Sequence, residues 1–283
     1  LRSRELLAQL ARLVSMEESV YRHGHKNNYY ADHFGIDMLT DTTERSPTYC
    51  TPPFRKFDDT TASDSWAFLF VNEQDTENAW ERIIKRRPKC VEWSRAEIEE
   101  LVPEDKVDRT HETIASIGYH ELMRFKVGLD GLRYRPLGMG DSAVAIVSEA
   151  EKEALTSSDG FFRKQLDAAR AARARTGLIY FGSEQSVAEI GEFVADWNPE
   201  CIAVLVSVPV TGFLLDGITR AGVKMLLNAL STCTMVRLGR VMGNYMVWVV
   251  PSNLKLIDRS TRYISRLTDL PYEDANRLLF EVI

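Results

Sequence analysis

The stretch GLIYFGSEQSVAEIGEFVADWNPECIAVLVSV (177–208) decides the fold class. Its opening, GLIYFG (177–182), is a short apolar run. VAEIGEFVADW (187–197) then repeats apolar residues at helical spacing, and CIAVLVSV (201–208) is a second continuous apolar run. Strands that are apolar throughout are buried on both faces, as in a parallel sheet covered by helices. Strand, helix and strand in this order predict a βαβ unit. The same order is expected upstream in WAFLFV (66–71), NEQDTENAWERIIKRR (72–87) and KCVEW (89–93). The expected class is therefore α/β, a mostly parallel sheet flanked by helices, with ligands taken at the carboxyl ends of the strands.

Working outward, Leu6, Leu7, Leu10, Leu13 and Val14 predict an amphipathic helix over 3–19. NNYYAD (27–32) predicts a short strand, and HFGIDMLTD (33–41) a turn into a helix or a second strand. ERSPTYCTPPF (44–54) carries three prolines and predicts an extended, irregular segment. Residues 94–175 are less regular and read as an elaboration on the sheet domain. They hold helices near 95–101 and 108–123, a Gly-rich stretch (129–141), a strand AVAIV (143–147) and a helical run (161–177). After the βαβ unit, 218–240 continues as a long helix with Asp216 as candidate N-cap. YMVWVV (245–250) is apolar, and two short helices near 255–267 and 272–281 follow. The expected division is an α/β domain over 1–250 and a helical tail over 251–283.

A chain of 283 residues buries a core without covalent staples. Its 35 Lys and Arg against 41 Asp and Glu give a net charge of −6, which argues against a nucleic-acid partner. No apolar run reaches the roughly 18 residues that span a bilayer, so no membrane partner is expected. Cys50, Cys90, Cys201 and Cys233 form no CxxC pair and read as buried free thiols of a reducing, cytoplasmic setting. The opening on Leu1 reads as a fragment, a processed product or an edited sequence. No GxGxxG or Walker pattern occurs, and Ser231 lacks a GxSxG context. His23 and His25 have no further ligand at metal spacing, so neither a cofactor nor a metal is expected. The run RAARAR (170–175) reads as a solvated helix face.

Two features carry candidate chemistry. Lys224, Asn228, Ser231 and Thr232 fall on one face of the long helix, while Met225, Leu226, Leu227 and Leu230 cover its other sides. Such a polar stripe either faces a ligand cleft, with the Lys224 ammonium serving an anion, or reaches solvent and a neighbouring loop. Glu44, between Asp41-Thr42-Thr43 and Arg45-Ser46-Pro47, reads from composition as a surface or turn-stabilising carboxylate.

DMLTDTTERSPTYCTPPF (37–54) resembles the segment that N-acetylmuramic acid 6-phosphate etherases write as Leu-Asp-Ala-Ser-Glu-Cys-Pro-Pro-Thr. KMLLNALSTCTMVRLGRVMGNYMVWVVPSNLKLIDR (224–259) resembles their long C-terminal helix and the segment after it. The same helix and glutamate occur in the second half of the glucokinase regulatory protein. Both families belong to the sugar isomerase (SIS) superfamily, so the resemblance implies a three-layer sandwich on a doubly wound sheet that binds phosphosugars. It implies an acid/base role for Glu44 and a phosphosugar contact for Lys224, and it gives Asn228 and Ser231 a ligand to face.

The departures from that pattern are specific. Phosphate-binding SIS loops are rich in Ser, Thr and Gly, whose backbone N–H groups and hydroxyls hold the anion. Here the first loop reads ADHFG (31–35) and the second NEQDTEN (72–78), both acidic. The etherases' second catalytic glutamate has no counterpart between Phe54 and Trp66. An elimination–hydration sequence uses two carboxylates in different protonation states. The expected function is thus a sugar-phosphate-binding SIS lobe without stand-alone catalysis, acting in regulation or metabolism of amino sugars. Its partners would be a phosphosugar and a second SIS lobe or a second copy. The alternatives are an etherase-type carbon–oxygen lyase using Glu44, and a protein-interaction module.

Overall fold

The chain is described over residues 3–209 and 213–282 of a computed structural model. Helix α1 (Arg4–Arg22) is capped by Ser3, whose Oγ accepts the Leu6 N–H, and it buries Leu10, Leu13, Val14, Met16 and Val20. β1 (Asn27–Ala31), α2 (Gly35–Tyr49), β2 (Ala67–Phe70) and α3 (Thr76–Ile84) follow. Three short helices, α4 (Arg95–Leu101), α5 (Val107–Ala115) and α6 (Tyr119–Met123), lead to β3 (Ser142–Ser148). α7 (Lys152–Thr156), α8 (Phe161–Ala171), β4 (Arg175–Gly182), α9 (Glu184–Trp197) and β5 (Ile202–Ser207) complete the sheet. The rest is α10 (Gly217–Arg237), the ribbon β6 (Val241–Met242) with β7 (Tyr245–Met246), α11 (Leu254–Thr268) and α12 (Tyr272–Val282).

The five main strands are all parallel, in the order β2-β1-β3-β4-β5. Tyr29 stands between Leu69 and Val144, and Ile179 between Ile146 and Val204. β1, β2 and β3 are buried at every position, including the polar Asn27 and Asn28 of β1 and Ser142 and Ser148 of β3. The chain moves outward from β1 to β2 and the other way from β3 to β5, so right-handed crossovers put α2 and the α8–α9 pair on opposite faces. α1 packs on β5 and α10, and α10 packs on α2; α8 and α9 pack on β3–β5. The result is a three-layer α/β sandwich whose topological switch lies between β1 and β3. Gly177 lets α1 approach β4: a Cβ there would come within 2.9 Å of Leu13 Cδ1.

Several expectations are corrected. KCVEW (89–93) is not a strand, and the strand after β2 is β3. Val91 and Trp93 are exposed, and β1 already has a neighbour on each side. The stretch 94–175 is not an elaboration throughout, because β3 lies at the sheet's centre and α8 covers it. Residues 44–49 are helical: α2 runs through Pro47 in its last turn and ends at Cys50 in a left-handed conformation. Asp216 is also left-handed and its side chain does not cap α10. RAARAR straddles the end of α8 and the start of β4 instead of lying on one helix face. All four cysteines are unpaired, yet only Cys201 is buried. Among the described residues, no helix is long and apolar enough to cross a membrane.

Candidate functional site

α2 presents two chemically different faces. On its inner face Asp41 and Arg45, one turn apart, are buried against Glu17 of α1. Arg45 Nε and Nη2 donate to Asp41 Oδ2 at 3.0 and 2.9 Å, and Nη1 donates to Tyr21 Oη at 2.9 Å. Nη2 also reaches Tyr29 Oη at 3.1 Å, and Nη1 reaches Glu17 Oε2 at 3.4 Å. Asn27 Nδ2 and Thr234 Oγ1 donate to the Glu17 carboxylate. Two carboxylates thus share one guanidinium away from water. Burial pushes the Glu17 carboxyl above its usual range, opposed by Arg45 and reinforced by Asp41. Burial alone would lower Arg45, but Glu17 and Asp41 hold it above its usual range and charged. The network ties α1, β1, α2 and α10 together and fixes the rotation of α2.

That rotation turns Thr40 and Glu44 onto the flank of α2 that adjoins the buried face, next to α10. Lys224 Nζ of α10 donates to Thr40 Oγ1 at 2.9 Å. Arg220 pairs with Asp37 one turn earlier, and Tyr49 Oη meets Thr232 Oγ1 at 2.9 Å further on. Contacts that advance together along both helices mean that α2 and α10 run parallel. Glu44 and Asn228 each lie one turn beyond the Thr40–Lys224 contact, and both are exposed. The predicted stripe therefore divides. Lys224 and Asn228 accompany Glu44 along the outer edge, whereas Ser231 is buried and donates to Asp41 Oδ1 at 3.0 Å.

Beyond Glu44 the outer edge of α2 opens into a cleft of about 600 Å³. Ser46, Pro47 and Thr48 form one wall, and Asn253, Lys255 and Arg259 at the start of α11 form another. No carboxylate lines it among the described residues. Thr40 to Thr48 is about 12 Å along the helix, so the Lys224 contact and the cleft wall lie about two turns of α2 apart, with Glu44 between them in sequence. The cations of α11 escaped sequence reasoning as site residues. The signal was present in the Asn-x-Lys-Leu piece (253–256) of the second resembling segment.

The carboxyl ends of the strands are closed to anions by the chain itself. Glu151 accepts the His33 N–H at 2.8 Å and the Ser148 N–H and Oγ at 2.9 and 2.6 Å. Glu149 accepts the Ser183 N–H and Oγ, each at 2.7 Å. Asp32 pairs with Arg82, which also reaches Glu73 at 3.1 Å. These carboxylates occupy donors that a phosphate would need at the switch point.

No protein-family model matches the chain. Curated relatives match part of it. The N-acetylmuramic acid 6-phosphate etherase of Porphyromonas gingivalis is 59% identical over 56 residues, 20% of each chain. That of Synechococcus elongatus is 40% identical over 118 residues, 40% of this chain and 35% of the relative. That of Lactococcus lactis subsp. lactis is 33% identical over 122 residues, 41% of this chain and 37% of the relative. The chain resembles these etherases. The matched segments span from a fifth to less than two-fifths of the relatives' length. An etherase-like sequence and an all-parallel, SIS-like α/β sandwich thus occur in one chain.

Proposed function

We propose that the chain binds an amino-sugar phosphate along the outer edge of α2. Lys255 and Arg259 hold the phosphate, Glu44 meets the sugar's reactive side, and Lys224 and Asn228 complete the edge. The observation that carries this reading is the pair of cations without a lining carboxylate, in a cleft built by residues of both etherase-like segments. Arg and Lys side chains suit phosphate, and a guanidinium does so bidentately. The self-filled carboxyl ends at Glu149 and Glu151 support a lobe that works with donors from a second SIS lobe or a second copy of this chain.

One observation favours a catalytic second reading. Glu44 is exposed and lies one turn beyond the Thr40–Lys224 contact, so it is free to exchange protons with a bound ligand. In an etherase-type elimination it would act as general acid/base on the lactyl ether.

Titration of the chain with N-acetylmuramic acid 6-phosphate tests the binding reading. Saturable binding, weakened about tenfold by Lys224→Ala, supports it. No binding, or binding that ignores the substitution, removes it. Release of D-lactate that is lost in Glu44→Gln selects the etherase reading, and binding without lactate release selects the non-catalytic lobe.

A further inference from the structure

The amino ends of β4 and β5 hold a second cavity, of about 800 Å³, on the opposite edge of the sheet from the closed switch-point loops. Arg12 of α1, Arg170 and Arg173 at the end of α8, and Arg175 at the start of β4 line it. Glu200 is its one lining carboxylate among the described residues. Four guanidiniums against one carboxylate is a local reversal of a chain whose net charge is −6.

These arginines are not consumed by structural pairing. Arg170 alone is engaged, through Asp167 at 3.2 Å and the Trp197 carbonyl at 3.1 Å. Among the described residues, the guanidiniums of Arg12, Arg173 and Arg175 make no hydrogen bond or ion pair. Arg173 also sits at φ 60°, in the left-handed region that favours glycine. That conformation closes the C-terminus of α8, where the Arg173 N–H donates to the Arg170 carbonyl at 3.0 Å and the Ala174 N–H to the Ala169 carbonyl at 2.9 Å, so the backbone is held by the cap while the guanidinium stands without a partner.

Like charges around one concavity repel, and a bound polyanion relieves that repulsion. The opening is larger than one phosphate requires, and it falls within the size of small-molecule sites. Met16 and Ile202 add an apolar wall beside the guanidiniums. Exposed Glu192 and Asp196 on neighbouring α9 disfavour a long nucleic acid lying across the surface. We infer that this cavity is a second ligand site, taking a small organic molecule that carries two or more phosphates. It stands apart from the α2 edge and does not depend on the function assigned there.

Calorimetric titration of the whole chain with ATP and with inorganic tripolyphosphate tests this. Both are expected to bind saturably, ATP more tightly through the apolar wall, and inorganic phosphate at least tenfold more weakly. Arg12→Gln with Arg175→Gln should weaken ATP about tenfold or more. Arg173→Gly separates binding from folding. It should retain the melting temperature, because the backbone there suits glycine, yet weaken ATP severalfold and leave any binding of N-acetylmuramic acid 6-phosphate unchanged. The inference is overturned if neither polyphosphate binds saturably, or if binding persists undiminished in the double variant. It is also overturned if single-stranded RNA binds and neither polyphosphate displaces it.

Discussion

The two faces of α2 solve opposite problems. On the inner face the charges of α2 are answered: Asp41 and Arg45 meet Glu17, Tyr21, Tyr29 and Ser231 away from water. On the outer face Glu44 is exposed, and the cleft beyond it holds Lys255 and Arg259 with no carboxylate in its lining. Inner residues set where the helix lies, and outer residues are left free for something that is not part of the chain. The contrast recurs at the sheet's carboxyl ends, where Glu149 and Glu151 answer donors that a phosphate would otherwise take.

Breaking the inner face should have the largest effect. Arg45→Met leaves two buried carboxylates without their cation and is expected to cost about 3–5 kcal/mol in chemical denaturation. A loss below about 1 kcal/mol would mean that the network does not hold α2.

Glu151→Ala should be intermediate. It removes three accepted hydrogen bonds and a helix cap, for about 1–2 kcal/mol. It also uncovers the His33 and Ser148 donors. Inorganic phosphate should then raise the melting temperature of the variant more than that of the parent chain. Equal responses would show that Glu151 does not stand in for an anion.

Glu17→Gln sharpens the comparison through pH. Burial holds the folded Glu17 carboxyl above its ordinary value, so the folded state keeps a proton that the unfolded chain has released. Its contribution to stability is complete below the ordinary Glu value and is lost as pH rises through the raised folded value. The amide variant lacks that loss, so its stability relative to the parent should grow with pH across this window. A pH-independent difference would contradict the raised carboxyl.

Glu44→Gln should change stability least, by no more than about 0.5 kcal/mol, because no structural partner is removed. A thermal melt checks this. A large loss would place Glu44 among the structural residues of α2.

Much of the fold was legible because periodicity reports burial. The unbroken apolar runs at β3, β4 and β5 and the spacing in α1, α9 and α10 predicted their elements to within a few residues. KCVEW misled because a short run does not reveal burial, and here Val91 and Trp93 stay exposed and the edge at β2 is left without a further strand. α2 was hidden because three prolines argue locally against a helix, whereas the buried Arg45 network holds it from outside its own sequence. The candidate site was half legible. Glu44 and Lys224 carried a resemblance, and the structure sets them one turn apart along adjoining helices. Ser231 shared their spacing but faces inward, since a stripe wider than the helix contact is divided by the partner helix. Lys255 fell within a resembling piece, but that it and Arg259 share a cleft with Ser46, Pro47 and Thr48 depends on where the chain after β7 places the start of α11.

The most direct test compares N-acetylmuramic acid 6-phosphate with its unphosphorylated sugar by titration, in the parent chain and in the Lys255→Gln, Arg259→Gln double variant. If the outer cleft holds the phosphate, phosphorylation should improve affinity at least tenfold in the parent and leave it nearly unchanged in the variant. The same gain from phosphorylation in both proteins would contradict the account.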